Sequence, residues 1–126
     1  MEKKTETTEA IHDIIGDGDL DGILDDLRNA DSGDTYVHKF SRPVSYDGAT
    51  YTELTFEFGN LTGGDSLAVE AELAALNKPV FVRSIDSQYL IRICARACTE
   101  KVGSDIFNNM PIKDYTKITN AAKRFL

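Results

Sequence analysis

The chain has 126 residues, enough for one small domain and a tail, and 21 acidic against 14 basic side chains give it a net charge of −7. An acidic chain without a basic stripe is not expected to bind nucleic acid, because contacts to phosphate supply most of that affinity. No apolar run approaches the ~20 residues that span a bilayer, and no secretion leader is visible, so we expect a cytoplasmic protein without a membrane segment.

Residues 1–34 form an acidic segment that we predict to be partly disordered and separate from the domain at 35–126. The segment carries eleven acidic residues against Lys3, Lys4 and Arg28. Its net charge is therefore −8, and −7 minus −8 leaves +1 for the rest of the chain. The charge that keeps the protein in solution is thus concentrated before the domain begins.

One motif in the acidic segment is similar to a calcium-binding EF-hand loop. Such a loop needs carboxylates at its positions 1, 3, 5 and 9, a glycine at 6 and an apolar residue at 8. Residues that meet these needs are Asp17, Asp19, Asp21, Asp25, Gly22 and Leu24. Arg28 stands at position 12, where a bidentate carboxylate is required, and the loop has no second loop to pair with. We therefore predict an acidic surface loop, and keep a calcium-modulated adaptor centred on Asp17–Asp25 as the alternative function.

A β-hairpin is predicted over residues 36–46 and 49–58. Asp47-Gly48 between them is typical of a type I′ turn, which requires positive φ at two positions. In the second strand Leu54, Phe56 and Phe58 alternate with polar residues, which indicates one apolar and one polar face. Pro43 predicts that the first strand is an edge strand or contains a bulge.

Three helices are predicted after the hairpin. The first runs from about Asp65 to Asn77, the second from near Asp86 to Gly103, and the third begins near Pro111. Apolar residues at helical spacing should cover the core: Leu67, Val69, Leu73 and Leu76 in the first helix; Tyr89, Leu90, Ile93, Cys94, Ala97 and Cys98 in the second; Tyr115, Ile118, Ala122 and Phe125 in the third. Residues 80–82 fit either a short strand or a buried connector. The predicted fold class is α+β, a small antiparallel hairpin packed with about three helices.

Cys94 and Cys98 are predicted to be reduced and buried. In a helix their Cβ atoms lie ~5–6 Å apart, too far for an unstrained disulfide. Two thiols do not complete a zinc site, and His12 and His38 lack ligand spacing, so we predict no metal and no cofactor. The sequence has no nucleophile elbow, phosphate-binding glycine loop or HExxH motif, and we therefore expect a binding protein and not an enzyme.

From Val37 to Leu126 the order of parts resembles the tail assembly chaperones of long-tailed bacteriophages. The segments that carry the resemblance are Arg42-Pro43-Val44, Asp47-Gly48, Tyr51, Leu54 and Phe56 in the hairpin; Leu61 to Leu67 at the first helix; Tyr89-Leu90-Ile91 in the second; and Met110-Pro111 with Asp114-Tyr115 before a helix that ends in Phe125. Residues 1–34 depart from the family pattern.

The resemblance implies a protein without enzymatic activity that acts in the cytoplasm of the infected cell and is absent from the finished virion. Its partners would be the tape measure protein, which it would keep soluble, and the tail tube protein, which it would help to recruit; a homo-oligomer stays open. For the partner-binding surface we select Phe56 and Phe58 of the hairpin and Tyr115 and Phe125 of the last helix; the alternative is that all four belong to the core.

Titration with calcium separates the chaperone from the adaptor. Because the ligand at position 12 is replaced by Arg28, we expect no heat on calorimetric titration of the whole chain with calcium. Heat with a stoichiometry near one calcium per chain would favour the adaptor and contradict this prediction.

Overall fold

Two antiparallel strands and three α-helices follow one another in residues 34–126, the part of the chain that the computed structural model describes. Their bounds are β1 (Thr35–Tyr46), β2 (Ala49–Glu57), α1 (Gly63–Ala75), α2 (Ser87–Ala97) and α3 (Ile112–Phe125), with 3₁₀ turns at Phe58–Asn60, Arg83–Ile85 and Ser104–Asn109. The predicted α+β class is confirmed. The disorder predicted for residues 1–34 falls, apart from Asp34, outside the described residues.

The hairpin turn has the predicted geometry. Asp47 and Gly48 have φ values of 49° and 78°, the two positive angles that a type I′ turn requires. The strands pair in register on both sides of a bulge, with Lys39 opposite Glu53 and Val44 opposite Tyr51. The four residues 40–43 of β1 therefore lie opposite a single residue of β2, Thr52. Pro43 lies in this stretch, so the predicted bulge is confirmed.

The main core lies between the apolar face of the sheet and helices α2 and α3. Leu54 and Phe56 of β2 are fully buried there, and the Phe56 and Phe58 rings stack with centroids 6.0 Å apart. They pack with a set of buried residues from the rest of the domain: Tyr36, Val44, Leu90, Cys94, Ala97, Ile106, Phe107, Met110, Ile118, Ala121 and Ala122. A second cluster, formed by Val69, Leu73, Tyr89 and Ile93, holds α1 against α2.

Helix α1 begins two residues before its predicted start. The Asp65 carboxylate accepts a hydrogen bond from the backbone N–H of Thr62 at 2.8 Å, which stabilises this end of the helix. Val69 and Leu73 are buried, as predicted, but Leu67 and Leu76 are 67% and 51% exposed. The prediction that these two leucines cover the core is wrong, because α1 contacts the domain through a single narrow stripe.

Helix α2 starts after Asp86, as predicted, and the Asp86 side chain accepts a hydrogen bond from the Tyr89 amide at 2.9 Å. The helix ends at Ala97, well before the predicted Gly103. After Ala97 the chain turns extended at Cys98 and lies along β2, where the Thr99 amide donates to the Thr55 carbonyl at 2.8 Å. Pairing with the sheet edge thus replaces the last predicted turn of the helix.

The two remaining predictions concern residues 80–82 and the third helix. Residues 80–82 form no strand; Val80 packs against the second cluster, whereas Phe81 is 89% exposed, so this segment is a connector of which only Val80 is partly buried. Helix α3 follows Pro111, as predicted, and buries Ile118 and Ala122.

Alanine substitution at two glycines tests the geometry of the hairpin turn. A Cβ at Gly48 or at Gly63 would meet nothing within 4 Å, but only Gly48 has a positive φ. We expect Gly48→Ala to lower the free energy of unfolding by about 1 kcal/mol, because an L-residue is strained in the left-handed region. The matched control Gly63→Ala should leave stability unchanged or raise it by up to ~1 kcal/mol. Urea unfolding followed by circular dichroism measures both, and equal losses would contradict the assigned turn.

Candidate functional site

A buried polar network centred on Asp114 links the hairpin to helix α3. The Nε2 atom of His38 lies 2.8 Å from Oδ1 of Asp114, and both side chains are 3% exposed. Ser41 binds the same carboxylate twice, through its hydroxyl to Oδ2 at 2.8 Å and through its backbone N–H to Oδ1 at 3.2 Å. On the other side of the imidazole, the Tyr36 hydroxyl lies 2.8 Å from Nδ1 of His38.

The strand and its bulge explain how these residues meet. Tyr36 and His38 are two residues apart and therefore point to the same inward face of β1. The bulge at residues 40–43 then turns the Ser41 amide away from β2 and towards Asp114. Asp114 lies in the first turn of α3, where the free amides of a helix start favour a carboxylate.

The electrostatics of Asp114 follow from this geometry. Burial alone raises the pKa of the Asp114 carboxyl, but the hydrogen bonds from His38 and Ser41 outweigh burial and hold the pKa below its ordinary value of 3.8. The carboxylate is thus ionised at neutral pH, and each of its oxygens has a partner.

The network has the residue types of a catalytic triad but not its connections. In such a triad the serine hydroxyl donates to the histidine, which acts as its base. Here the Ser41 hydroxyl donates to Asp114, so His38 and Ser41 bind the carboxylate side by side. This arrangement orients β1 on α3, and it does not activate Ser41 as a nucleophile.

An apolar groove of about 240 Å³ opens where the start of α1, the middle of α2 and the end of α3 meet. Phe58, Leu61, Ile93 and Phe125 are among the residues that form its walls, and Arg83 lies at its rim. The volume is below the roughly 300–1,000 Å³ of most small-molecule sites, so the groove suits a few apolar side chains of a protein segment better than a cofactor.

The four predicted contact residues occupy different environments. Phe56 and Phe58 are 0% and 3% exposed, so a partner cannot reach them while the hairpin is folded. Tyr115 is partly buried and packs edge-on against Phe107, with ring centroids 6.1 Å apart. Phe125 is 39% exposed, and its ring lies 5.5 Å from that of Phe58 beside the groove. Of the four, Phe125 is the best placed to contact a partner.

Sequence analysis missed the most exposed apolar side chains. Phe81, Ile112 and Ile85 are 89%, 81% and 73% exposed, and none was selected as a contact residue. A signal was present for Phe81 and Ile85, because these large apolar residues lie between the first and second predicted helices, in a segment to which no helix was assigned.

Cys94 and Cys98 are free thiols, as predicted, although Cys98 lies after the end of α2 and not within a helix. Cys94 is buried; Cys98, also predicted to be buried, is partly exposed. Burial raises the pKa of both thiols, to about 12 for Cys98, where the Glu100 carboxylate adds to the effect. Neither cysteine is therefore a thiolate at neutral pH, the form that binds metals and attacks electrophiles.

Two further observations concern residues 34–126 only. These residues contain no group of three or more His, Cys, Asp or Glu side chains arranged to hold a metal ion. They also contain no helix whose length and apolar character would allow it to cross a membrane. The predicted loop at Asp17–Asp25 lies outside the described residues, so calcium binding there stays a prediction.

Comparison of the chain with models of protein families, with curated proteins and with solved structures gives no match. The resemblance to phage tail assembly chaperones therefore rests on the sequence segments described above.

Asp114 provides a test of the network. We expect Asp114→Asn to lower the free energy of unfolding by about 2–4 kcal/mol at neutral pH, because it leaves buried donors poorly paired. The pKa of Asp114 is lower in the folded protein than its ordinary value of 3.8, so the ionised carboxylate stabilises the fold at a pH above 3.8. This stabilisation is lost as the pH falls through the lower pKa of the folded state. The difference in the free energy of unfolding between variant and wild type should therefore be smaller at about pH 3 than at neutral pH.

The matched control is Asp105→Asn. Asp105 is an exposed carboxylate that accepts a hydrogen bond from the Tyr46 hydroxyl at 2.5 Å, so its loss should cost less than about 1 kcal/mol. Urea unfolding at both pH values measures the two variants, and a difference for Asp114→Asn that does not change with pH would refute the role given to the carboxylate.

Proposed function

We propose that the protein is a phage tail assembly chaperone that acts in the host cytoplasm. In this role it binds the tape measure protein, keeps it soluble and helps to recruit tail tube subunits, without becoming part of the virion. Two kinds of observation support the proposal: the order of sequence segments in residues 37–126, and the apolar side chains that the folded domain leaves exposed.

The observation that carries the proposal is the apolar connection, defined as Phe81, Val82 and Ile85. Their side chains are 89%, 50% and 73% exposed within five consecutive residues. The preceding Val80 packs against the second core cluster, so this surface is attached directly to the folded domain. Single exposed apolar residues are common, but a concentration of large ones is typical of a surface that binds another protein.

Helix α1 and the residue that follows it also leave two leucines in solvent. Leu67 and Leu76 are 67% and 51% exposed, and Leu76 lies at the end of the helix, five residues before Phe81 in the chain. Exposed apolar side chains of this kind are suited to the apolar face of a helical partner. A tape measure protein, as the resemblance describes it, is a long helical chain with such faces.

The charge of the chain is compatible with the proposed role. A protein that exposes apolar surface requires another source of solubility, and a net charge of −7 provides repulsion between copies. The side chains of the apolar connection are not needed for the fold, because they are mostly in solvent. Folding and binding can therefore be tested separately in this protein.

The test is co-expression with the product of the downstream reading frame, which the proposal expects to be a long, helix-rich tape measure protein. Wild type should raise the soluble fraction of this protein, and Phe81→Asp combined with Ile85→Asp should return it to the level without chaperone. Because both side chains are exposed, the double variant should unfold within about 0.5 kcal/mol of wild type for each change. Centrifugation of lysates measures solubility, and urea unfolding measures stability.

The control is Ile112→Asp, which changes an isoleucine that is 81% exposed at the start of α3. It should retain full solubilising activity, because it lies outside the apolar connection and α1. The chaperone assignment is contradicted if the downstream protein stays in the pellet with or without wild-type chain. If wild type solubilises it and both variants still do so, the function stands and the apolar connection is not the binding surface.

A further inference from the structure

The described chain begins beside the apolar groove. The Asp34 carbonyl accepts a hydrogen bond from the Phe58 amide at 2.8 Å, and Phe58 forms part of the groove wall. The 33 residues that precede Asp34 are therefore connected to the domain at the edge of this groove. Seven extended residues reach up to ~25 Å, so a segment that ends near Leu27 can lie across it.

The acidic segment contains an apolar stripe of four residues at helical spacing. Leu20, Ile23, Leu24 and Leu27 are spaced i, i+3, i+4 and i+7, which places them on one side of a helix. The residues between and beside them are mainly acidic: Asp19, Asp21, Asp25 and Asp26. Residues 20–27 are thus apolar on one side and strongly negative on the other, if helical.

The groove is complementary to such a segment in charge as well as in polarity. Arg83 lies at its rim and donates to the Ser66 hydroxyl at 3.5 Å; within residues 34–126 it forms no ion pair with a carboxylate. Arg83 is thus a cation at an apolar groove, and the acidic segment, residues 1–34, has a net charge of −8.

We propose that residues 20–27 bind in the groove of the same chain, with the apolar stripe against Leu61 and Phe125 and the aspartates near Arg83. The connection at Asp34 makes this contact intramolecular, so a weak interaction is sufficient to keep the groove occupied. The inference concerns a contact within one chain and does not depend on the proposed chaperone function.

A tryptophan placed in the groove reports on this contact. The chain contains no tryptophan, so Phe125→Trp introduces a single fluorophore at a groove position that is 39% exposed. In the full-length chain we expect a blue-shifted emission, because residues 20–27 shield the indole from water. Adding Leu24→Ser and Leu27→Ser should shift the emission to the red, since the apolar stripe is lost. Adding Ile14→Ser and Ile15→Ser, the matched control, should not.

Three results would overturn the proposal. Emission that is unchanged by Leu24→Ser with Leu27→Ser shows that the stripe does not cover the groove. An equal red shift with the control pair shows that the effect is not specific to residues 20–27. A blue shift that disappears on dilution shows that a second copy of the chain, and not the same chain, fills the groove.

Amide hydrogen exchange on the full-length chain with its native Phe125 gives a measurement that does not depend on the tryptophan variant. Exchange over residues 20–27 should be slower in wild type than in Leu24→Ser with Leu27→Ser by about tenfold or more, with residues 87–97 unaffected. Equal exchange in the two proteins would show that residues 20–27 are not bound. Both experiments use the chain alone, so their failure is distinguishable from a failure of the chaperone assignment.

Discussion

The carboxylate of Asp114 fastens the bulged strand β1 to helix α3, and the small sheet depends on this attachment. A two-stranded hairpin is only marginally stable in water unless it packs against another element. The apolar face of the hairpin supplies the packing energy, but the Phe40–Pro43 bulge removes ladder hydrogen bonds from the middle of β1. The bonds from Ser41 and His38 to Asp114 replace that loss with contacts to the helix.

A buried carboxylate is favourable only where its oxygens are satisfied. Asp114 meets this condition through residues that are far away in the chain, since His38 is 76 positions before it. The network therefore forms only when the hairpin and α3 have docked in one relative position. Apolar packing allows neighbouring arrangements with little change in energy, whereas the geometry of these hydrogen bonds favours one of them.

Local pattern was sufficient to predict the elements of the described domain, because each depends on residues close in sequence. The Asp47-Gly48 turn, the alternation of Leu54 and Phe56, and the apolar stripe of α2 are of this kind. The end of α2 was not predictable in the same way, because the chain after Ala97 leaves the helix to pair with β2. Tertiary pairing overrides helical propensity at that point.

The candidate binding surface was harder to predict than the fold for a related reason. An apolar side chain has the same sequence signature whether the domain covers it or leaves it in solvent. Phe56 and Phe125 are both aromatic residues on apolar faces, yet one is fully buried and the other 39% exposed. Arg83 and Phe58 likewise belong to one groove only because the start of α1, the middle of α2 and the end of α3 meet there.

The extended residues after α2 and the bulge in β1 together protect the hairpin against ordered aggregation. Unpaired sheet edges are templates for strands of other molecules, and long flat edges lead to fibrils. One end of β2 is already occupied by Cys98 and Thr99. Along β1, the displaced residues around Pro43 interrupt the row of amides that an incoming strand would need. Among the described residues, both features shorten the continuous edge with which a strand of another molecule could pair.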